Sequence, residues 1–191
     1  KNLVKKVDRL FVGGAMANTF LAAKGHDVGA SLHEAGLLGA ARDILDAAAV
    51  SSCDILLPVD GVVTTKFEAH ADRRVAQLDD IGADEMILDC GPDTVDRLAD
   101  AIAAARTLVW NGPLGAFETP PFDTATVEAA RYAAARCREH GLVVVAGGGD
   151  TVAALNHAGA ADDFTFVSTA GGAFLEWLEG RALPGVDALK D

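Results

Sequence analysis

Residues 142–155 read LVVVAGGGDTVAAL, an apolar run followed by three glycines and a second apolar run. The pattern predicts a strand that ends in a glycine turn and leads directly into a helix. Glycine lets a backbone approach a ligand closely, and the first turn of a helix presents unpaired N–H groups and a partial positive charge. Asp150 stands beside this predicted anion site, where its carboxylate would suit Mg²⁺ carried on a phosphate chain. Taken alone, the segment fits a nucleotide–metal site and a glycine-rich turn capped by Asp150 equally well.

The same succession of strand and helix extends along the chain, where short β-rich runs alternate with longer alanine-rich helical patterns. The predicted strands are residues 9–13, 54–57, 85–89, 107–110, 142–146 and 164–168. The predicted helices are residues 16–24, 34–49, 94–105, 124–140, 152–157 and 173–179. A second strand pair is predicted at residues 62–65 and 75–77, with Asp60-Gly61 as a turn.

This alternation predicts the fold class. Strands that are apolar on both faces and alternate with helices indicate a parallel sheet covered by helices on each side. No linker, low-complexity tract or internal repeat interrupts the pattern. We therefore predict one α/β domain over residues 1–191, a three-layer Rossmann-like fold with a mostly parallel, roughly six-stranded sheet.

Composition excludes several classes of function. The net charge of −12 argues against a nucleic-acid surface, because phosphate backbones attract basic patches. No apolar run approaches the ~20 residues that a membrane span needs, and we expect no signal peptide. The three cysteines form no Cys-x-x-Cys pair and the five histidines show no metal-ligand spacing, so neither a disulfide framework nor a zinc site is expected. These features favour a cytoplasmic protein with no membrane or nucleic-acid partner.

The segments that follow the predicted strands are the ones to inspect for function, because ligands of open α/β sheets bind at the carboxyl ends of the strands. Five of these six segments contain glycine. They are residues 13–15, 58–60, 90–92, 111–113, 147–150 and 169–172. A shared crevice lined by exposed backbone explains this recurrence better than packing alone.

Two of these segments leave a nucleotide role and a structural role open. Residues 13–18 lack the Gly-x-Gly-x-x-Gly spacing of a dinucleotide site, which disfavours hydride chemistry and leaves either a base or ribose contact or a plain tight turn. In residues 110–118, Glu118 would accept hydrogen bonds from two ribose hydroxyls, or it would simply be solvated while Trp110 and Phe117 anchor the core.

Two further segments have a simpler alternative. Ser168 or Thr169 is a candidate N-cap, and the Gly171-Gly172 pair that follows would present N–H donors to a transferring phosphoryl group. Cys90 lies at a strand end, yet no histidine is positioned to activate it, so a buried structural thiol is favoured over a reactive one.

Taken in order, seven segments resemble phosphoglycerate kinase, and the resemblance covers essentially all 191 residues. They are VDRLFVGGAMANTF at 7–20, LLPVD at 56–60, DCGP at 89–92, WNGPLGAFE at 110–118, GGGDT at 147–151, STAGGA at 168–173 and LPGV at 183–186. The matching part of that two-domain enzyme is its C-terminal, nucleotide-binding half, and the N-terminal phosphoglycerate-binding half is absent from this sequence. The family transfers a phosphoryl group between 1,3-bisphosphoglycerate and ADP in glycolysis, giving 3-phosphoglycerate and ATP, and the complete enzyme is expected to be a monomer.

The resemblance also implies roles for individual residues. An adenine slot is expected at Gly13, Gly14, Leu32 and Gly91, with Asn111 and Pro113 along the nucleotide and Glu118 on the ribose hydroxyls. Asp150 would hold the Mg²⁺ of ATP or ADP, and Gly148, Gly149 and Thr151 would present donors to the phosphates. The catalytic positions are then Gly148, Gly171 and Gly172, which would face the transferring group.

The resemblance has two limits. The family's cationic groups for the phosphoglycerate and for the nucleotide phosphates lie outside these residues, so the chain alone is expected to bind nucleotide without turnover. A family strand that would lie near the middle of the sheet is also missing, which predicts a gap with apolar walls. The alternative function is a non-catalytic nucleotide-binding module, and a dinucleotide oxidoreductase is disfavoured by the glycine spacing.

Overall fold

The computed structural model describes residues 2–169, 176 and 180 of the 191-residue chain. Within these ranges the strands are β1 (Arg9–Phe11), β2 (Asp54–Leu56), β3 (Asp60–Thr64), β4 (Arg74–Gln77), β5 (Met86–Cys90), β6 (Thr107–Asn111), β7 (Val143–Gly147) and β8 (Phe166–Ser168). The α-helices are α1 (Gly14–Ala23), α2 (Leu38–Ala49), α3 (Pro92–Ala104), α4 (Thr124–His140) and α5 (Gly149–Ala158). Short 3₁₀ turns lie at Leu3–Lys5, Ala35–Leu37, Leu78–Asp80 and Ala161–Asp163.

The described strands form three hydrogen-bonded ladders. Strands β1 and β2 pair in parallel, and β6, β7 and β8 form a parallel ladder in that order. The third ladder has the order β4-β3-β5 and is antiparallel throughout. The predicted α/β class with parallel sheets is confirmed, whereas a single sheet of about six strands is not seen as one ladder.

The antiparallel ladder corrects two details of the prediction. Strand β5 was expected with the parallel strands, but it pairs antiparallel with β3. Asp60-Gly61 was expected to be a turn, but both residues lie in β3. Gly61 serves close strand packing instead, because a β-carbon there would lie 2.8 Å from Ile87 Cγ2. The predicted strand pair is confirmed, with Val62 opposite Val75.

The helix boundaries also differ from the periodic pattern. Helix α5 begins at Gly149, three residues before its predicted apolar start, and α1 begins at Gly14. Glycines therefore open both helices directly at strand ends. The predicted helix over residues 173–179 and the LPGV segment at 183–186 lie almost entirely outside the described residues.

The gap predicted in the sheet would fall between β1 and β6. Within residues 2–169, β1 pairs only with β2, and β6 pairs only with β7. The loops that follow the two strands nevertheless meet, because the Gly14 N–H donates to the Leu114 carbonyl at 3.0 Å. Phe11 of β1 packs against the apolar cluster of β6. The two parallel ladders thus share a core, and a strand that fills the gap stays a prediction.

The larger apolar cluster lies between β6–β7 and the alanine face of α4. Ala130 and Ala133 are fully buried there, beside Val144 of β7. Small side chains let the helix backbone approach the sheet closely at interior packing density. Trp110 and Phe164 close one side of the cluster, with ring centroids 6.1 Å apart. This core fixes the strands whose ends form the candidate site.

No helix in the described part of the chain combines the length and apolar character needed to cross a membrane.

Helix α3 is capped by a buried carboxylate from outside the helix. Its own N-cap residue, Gly91, has no side chain to cap with, and Asp60 of β3 replaces that function. The Asp60 carboxylate is fully buried and accepts hydrogen bonds from Asp93 N at 3.0 Å and Thr94 N at 2.9 Å. The Thr94 hydroxyl donates to it at 2.6 Å. The contact joins the antiparallel ladder to α3 and satisfies N–H groups that the helix leaves unpaired.

We expect Asp60→Ala to lower the free energy of unfolding by about 2–4 kcal/mol, because buried N–H donors lose their acceptor. Asp96→Ala is the matched control, since Asp96 is exposed on the same helix, and it should change the free energy by less than about 0.5 kcal/mol. Urea denaturation of the two variants measures both values. Equal losses in the two variants would contradict the role of Asp60 as a distant cap.

Candidate functional site

The ends of four strands are linked by hydrogen bonds between the loops that follow them. The Gly14–Leu114 bond joins the loops after β1 and β6. The Gly112 N–H donates to Thr151 Oγ1 at 2.6 Å, which joins the loop after β6 to the first turn of α5. The Gly148 N–H donates to the Ser168 carbonyl at 3.1 Å, which joins the loop after β7 to β8. The predicted segments after β1, β6 and β7 are therefore joined into one connected edge, next to the end of β8.

Gly148 occupies a backbone conformation that favours glycine. It is the N-cap residue of α5, with φ of 108°, and no side chain makes a capping hydrogen bond there. A β-carbon at Gly148 would lie 3.3 Å from Thr151 Oγ1 and 3.7 Å from Asn111 Oδ1. The turn thus places backbone N–H groups of the first helical turn at the strand edge with no competing side chain.

Asp150 and Thr151 have different environments within this turn. Asp150 is exposed in the first turn of α5, and the cap position itself belongs to Gly148. The alternative in which Asp150 caps the helix is therefore not supported. Thr151 is 1% exposed, and its hydroxyl oxygen accepts the Gly112 N–H, so this side chain joins two loops.

The residues expected around an adenine fall into two environments. Gly13 is the N-cap residue of α1 and makes no side-chain bond, and Gly14 has φ of 60°, with a β-carbon position 3.9 Å from the Pro113 and Leu114 carbonyl oxygens. Leu32 is 76% exposed, and the buried Asn18 of α1 holds its carbonyl through a 3.1 Å hydrogen bond. Gly91, by contrast, is buried against the Asp60 carboxylate, which a β-carbon would overlap. Packing is thus sufficient to explain glycine at residue 91.

The loop after β6 carries its polar groups at the surface and its apolar groups inside. Trp110 is 7% exposed, and its indole N–H donates to the Gly112 carbonyl at 2.7 Å, which confirms it as a core anchor. Gly112 has φ of 83°, so the chain reverses sharply before Pro113. Asn111 and Glu118 are exposed at the two ends of the loop.

Cys90 is a structural thiol. Its side chain is 6% exposed, and Sγ lies 3.9 Å from the Leu114 carbonyl oxygen. Burial, and then the neighbouring Asp89, raise the pKa of the Cys90 thiol well above its ordinary value. A thiolate is therefore disfavoured at neutral pH, in agreement with the structural alternative drawn from the sequence.

The structure gives no position for two parts of the predicted site, the Gly171-Gly172 pair and the metal. Gly171 and Gly172 lie outside the described residues. Within residues 2–169, 176 and 180, no group of three or more His, Cys, Asp and Glu side chains is arranged to hold a metal ion. A metal at this edge would need oxygen ligands from a bound molecule in addition to Asp150.

Sequence reasoning missed the two buried carboxylates behind the loops, Asp60 and Asp89. They are 0% and 2% exposed. The available signal was an aspartate at the edge of an apolar run, Asp60 after LLPV and Asp89 just before the Gly-Pro pair at residues 91–92. Helix starts need acceptors for unpaired N–H groups, and here distant aspartates provide them.

Comparison with known proteins places the chain in a family. The family model described as phosphoglycerate kinase matches residues 1–181. The phosphoglycerate kinases of Sphingopyxis alaskensis and Sinorhizobium medicae are each 64% identical over 190 residues, which cover 100% of this chain and 48% of each relative. The chain therefore spans about half the length of the curated relatives it matches.

Solved structures agree with the sequence matches. The structure of phosphoglycerate kinase from Coxiella burnetii has a TM-score of 0.92 and 42% identity, covering 97% of this chain and 47% of that chain. The crystal structure of the enzyme from Pyrococcus horikoshii has a TM-score of 0.82 and 29% identity, covering 99% of this chain and 48% of that chain. By sequence and by fold, the chain belongs to the phosphoglycerate kinase family.

Proposed function

We propose that these 191 residues are the nucleotide-binding half of a phosphoglycerate kinase, which binds ATP or ADP with Mg²⁺ at the connected strand edge. The carrying observation is the Gly148 turn, where a positive φ and the absence of a side-chain cap leave the start of α5 open at an edge shared by four strands. The complete enzyme would transfer a phosphoryl group between 1,3-bisphosphoglycerate and ADP. The phosphoglycerate would be bound by residues beyond this sequence, in a cytoplasmic and monomeric enzyme.

The phosphates are assigned to the start of α5. The Gly149 N–H, with Gly148 and the Thr151 side chain beside it, would supply a fixed donor at the positive end of a helix dipole. The Gly148 N–H donates to the Ser168 carbonyl and would have to leave it to reach a phosphate. Asp150 is exposed in the same turn and suits Mg²⁺, which prefers carboxylate oxygens together with substrate phosphates. Bound Mg²⁺ would neutralise charge on the phosphate chain.

The base and ribose are assigned to the other loops of the edge. The backbone of Gly13 and Gly14 and the exposed Leu32 side chain would provide a surface for adenine, beside Gly91. Glu118 is exposed and would accept hydrogen bonds from the ribose hydroxyls. Asn111 and Pro113 would lie along the nucleotide between these groups and the phosphates.

Transfer itself is assigned to backbone donors. Gly171 and Gly172 would present N–H donors to the developing charge on the transferring group, because fixed donors act strongly where water is excluded. Gly148 would join them once its N–H is released from the Ser168 carbonyl. The role needs no nucleophile or general base from this chain, which agrees with the neutral, buried thiol of Cys90.

The proposal predicts that two carboxylate substitutions lower nucleotide affinity in different ways. Calorimetric titration of the chain with ADP, with and without Mg²⁺, measures both affinities. Asp150→Asn should weaken Mg-ADP binding by about tenfold and change binding of metal-free ADP much less, because the lost contact is to the metal. Glu118→Gln should weaken both forms by a similar factor, because the ribose is the same in each. Asp96→Asn is the control for the change in charge alone. If it lowers the affinity for Mg-ADP as much as Asp150→Asn does, the assignment of the metal to Asp150 is wrong.

Gly148→Ala tests the turn itself. The methyl group is strained at φ of 108° and crowds Thr151 Oγ1 at 3.3 Å, so both stability and Mg-ADP affinity should fall, the latter by about tenfold or more. Gly39→Ala is the matched control, because Gly39 lies inside α2 with open space around its α-carbon and should be neutral or slightly stabilising. If Gly148→Ala folds and binds Mg-ADP with unchanged affinity, the assignment of the phosphates to this turn is wrong.

The 191-residue chain should bind nucleotide yet show no measurable phosphoglycerate-dependent turnover in a coupled ATP assay. The reason is that phosphoryl transfer depends on cations and on positioning of both substrates. Substantial turnover by the purified chain would contradict this division of labour. Binding without turnover in a longer gene product that carries both halves would instead favour the non-catalytic nucleotide-binding module.

A further inference from the structure

The buried carboxylate of Asp89 lies behind the loop to which the ribose is assigned. Asp89 is 2% exposed near the end of β5, and both of its oxygens accept hydrogen bonds. Oδ1 accepts the Cys90 N–H at 2.9 Å, and Oδ2 accepts the Ala125 N–H in the first turn of α4 at 2.9 Å. Asp89 therefore connects the end of a strand to the start of a helix far along the chain.

Asp89 performs the capping that the N-cap residue of α4 does not. Asp123 occupies that position, but its side chain makes no capping bond and instead lies 2.7 Å from His157 Nε2 of α5. The N-terminal donors of a helix favour a negative or strongly accepting group. Asp89 supplies that group from β5, so the start of α4 depends on it.

The loop between β6 and α4 rests directly on this carboxylate. A β-carbon at Gly115 would lie 2.6 Å from Asp89 Cγ, so only a hydrogen atom fits between them. The next residue, Ala116, donates its N–H to the Leu88 carbonyl at 2.8 Å. The preceding residue, Leu114, donates its N–H to Thr126 Oγ1 of α4 at 3.0 Å. Three successive loop residues are thus held against β5 and α4.

We propose that Asp89 is a positioning residue for the nucleotide: its ionised carboxylate fixes the start of α4 and the loop at Gly115, and through them sets the place of Glu118. The proposal rests on the proposed function, since it takes Glu118 as the ribose contact. Asp89 itself does not reach the surface and touches no substrate.

The charge of Asp89 makes this positioning sensitive to pH. Burial raises the pKa of Asp89 to about 7, against the lowering effect of the Ala125 and Cys90 N–H groups. The groups that surround it are mostly acidic or neutral: Asp123 and Glu128 of α4, the neighbouring Cys90, Asp60 of β3, and His157 beyond Asp123. A protonated Asp89 has one good acceptor oxygen for two N–H groups, so the loop is held less firmly in acid.

Stability and nucleotide affinity should then respond to pH in opposite directions. The folded pKa of about 7 lies above the ordinary value of 3.8, so folding takes up a proton between these values. The stability that Asp89 contributes is therefore present in acid and is lost as the pH rises toward 7. Affinity should rise as the pH passes through about 7, because ionisation of Asp89 restores its second acceptor. A general effect on stability would move both quantities together.

The test compares the wild-type chain with Asp89→Asn, using ADP and 2′,3′-dideoxy-ADP, each with Mg²⁺, in calorimetric titrations. The amide keeps the shape of the side chain but has only one acceptor oxygen. We expect Asp89→Asn to lower the affinity for ADP by about tenfold and the affinity for the dideoxy analogue much less. The affinity of the variant for ADP should also depend less on pH. The ratio of the ADP affinity to the dideoxy-ADP affinity measures ribose discrimination. Partial unfolding would lower both affinities and would not change this ratio selectively.

Glu128→Gln is the matched control, because Glu128 is exposed on α4 and contributes to the same electrostatic environment without holding the loop. It should leave ribose discrimination unchanged. If wild-type chain fails to bind Mg-ADP, the proposed function fails. If wild-type chain binds ADP more tightly than dideoxy-ADP, and Asp89→Asn folds and shows the same preference, the positioning role is wrong while the proposed function stands.

If Asp89→Asn does not fold, the pH series on wild-type chain decides. The affinity for Mg-ADP alone is not a sufficient test, because the nucleotide phosphates titrate in the same pH range. The same series on Glu128→Gln does not correct for this, since Asp89 is present in both proteins. The ratio of ADP to dideoxy-ADP affinity cancels the phosphate titration, and it should rise between about pH 6 and about pH 8. A ratio that is constant over this range overturns the proposal.

Discussion

The arrangement depends on how helices that begin at strand ends satisfy their unpaired N–H groups. Helices α3 and α4 receive buried carboxylates from distant strands, Asp60 and Asp89. Helices α1 and α5 have Gly13 and Gly148 as N-cap residues, with no side-chain capping bond. The first pair stabilises the fold, because buried donors without acceptors are costly. The second pair leaves donors for a ligand, and these are the two helix starts to which the base and the phosphates are assigned.

The same constraint explains why glycine recurs for two separate reasons. At Gly91 and Gly115 the backbone must lie against a buried carboxylate, and any side chain would collide with it. At Gly14, Gly112 and Gly148 the backbone has positive φ, which favours glycine whether or not a ligand is present. A strand-end glycine is therefore not evidence of ligand contact by itself. Gly14 and Gly148 differ from the others because each lies at the start of a helix that has no side-chain cap.

Most of the architecture follows from local sequence, and the errors come from contacts between distant residues. Alternating apolar runs and alanine-rich helices predicted the α/β class, and the Val62–Val75 strand pair was also predicted. Hydrophobic pattern does not encode strand direction, so the antiparallel pairing of β5 was missed. Asp60-Gly61 resembles a turn in its residue types, whereas close approach of Ile87 makes it a strand.

The buried carboxylates could not be recognised for the same reason. Asp60 meets Thr94 across 34 positions, and Asp89 meets Ala125 across 36 positions. An aspartate at a strand end looks identical in sequence whether it faces solvent or caps a helix that follows much later. The exposed group Asp150 was predicted to lie at a helix start from its neighbours alone, because the glycines before it and the apolar run after it are contiguous.

Net charge constrains how the chain would bind the polyanion that the proposed function requires. With a net charge of −12, the long-range field of the chain repels phosphate, so recognition has to come from short-range donors. Backbone N–H groups at a helix start act at hydrogen-bond distance and leave the net charge unchanged. An exposed carboxylate in the same turn, Asp150, would oppose a bare phosphate and favour one that carries a divalent cation. On the proposed function, the net negative charge and the uncapped helix start would together favour the metal-bound nucleotide over the free one.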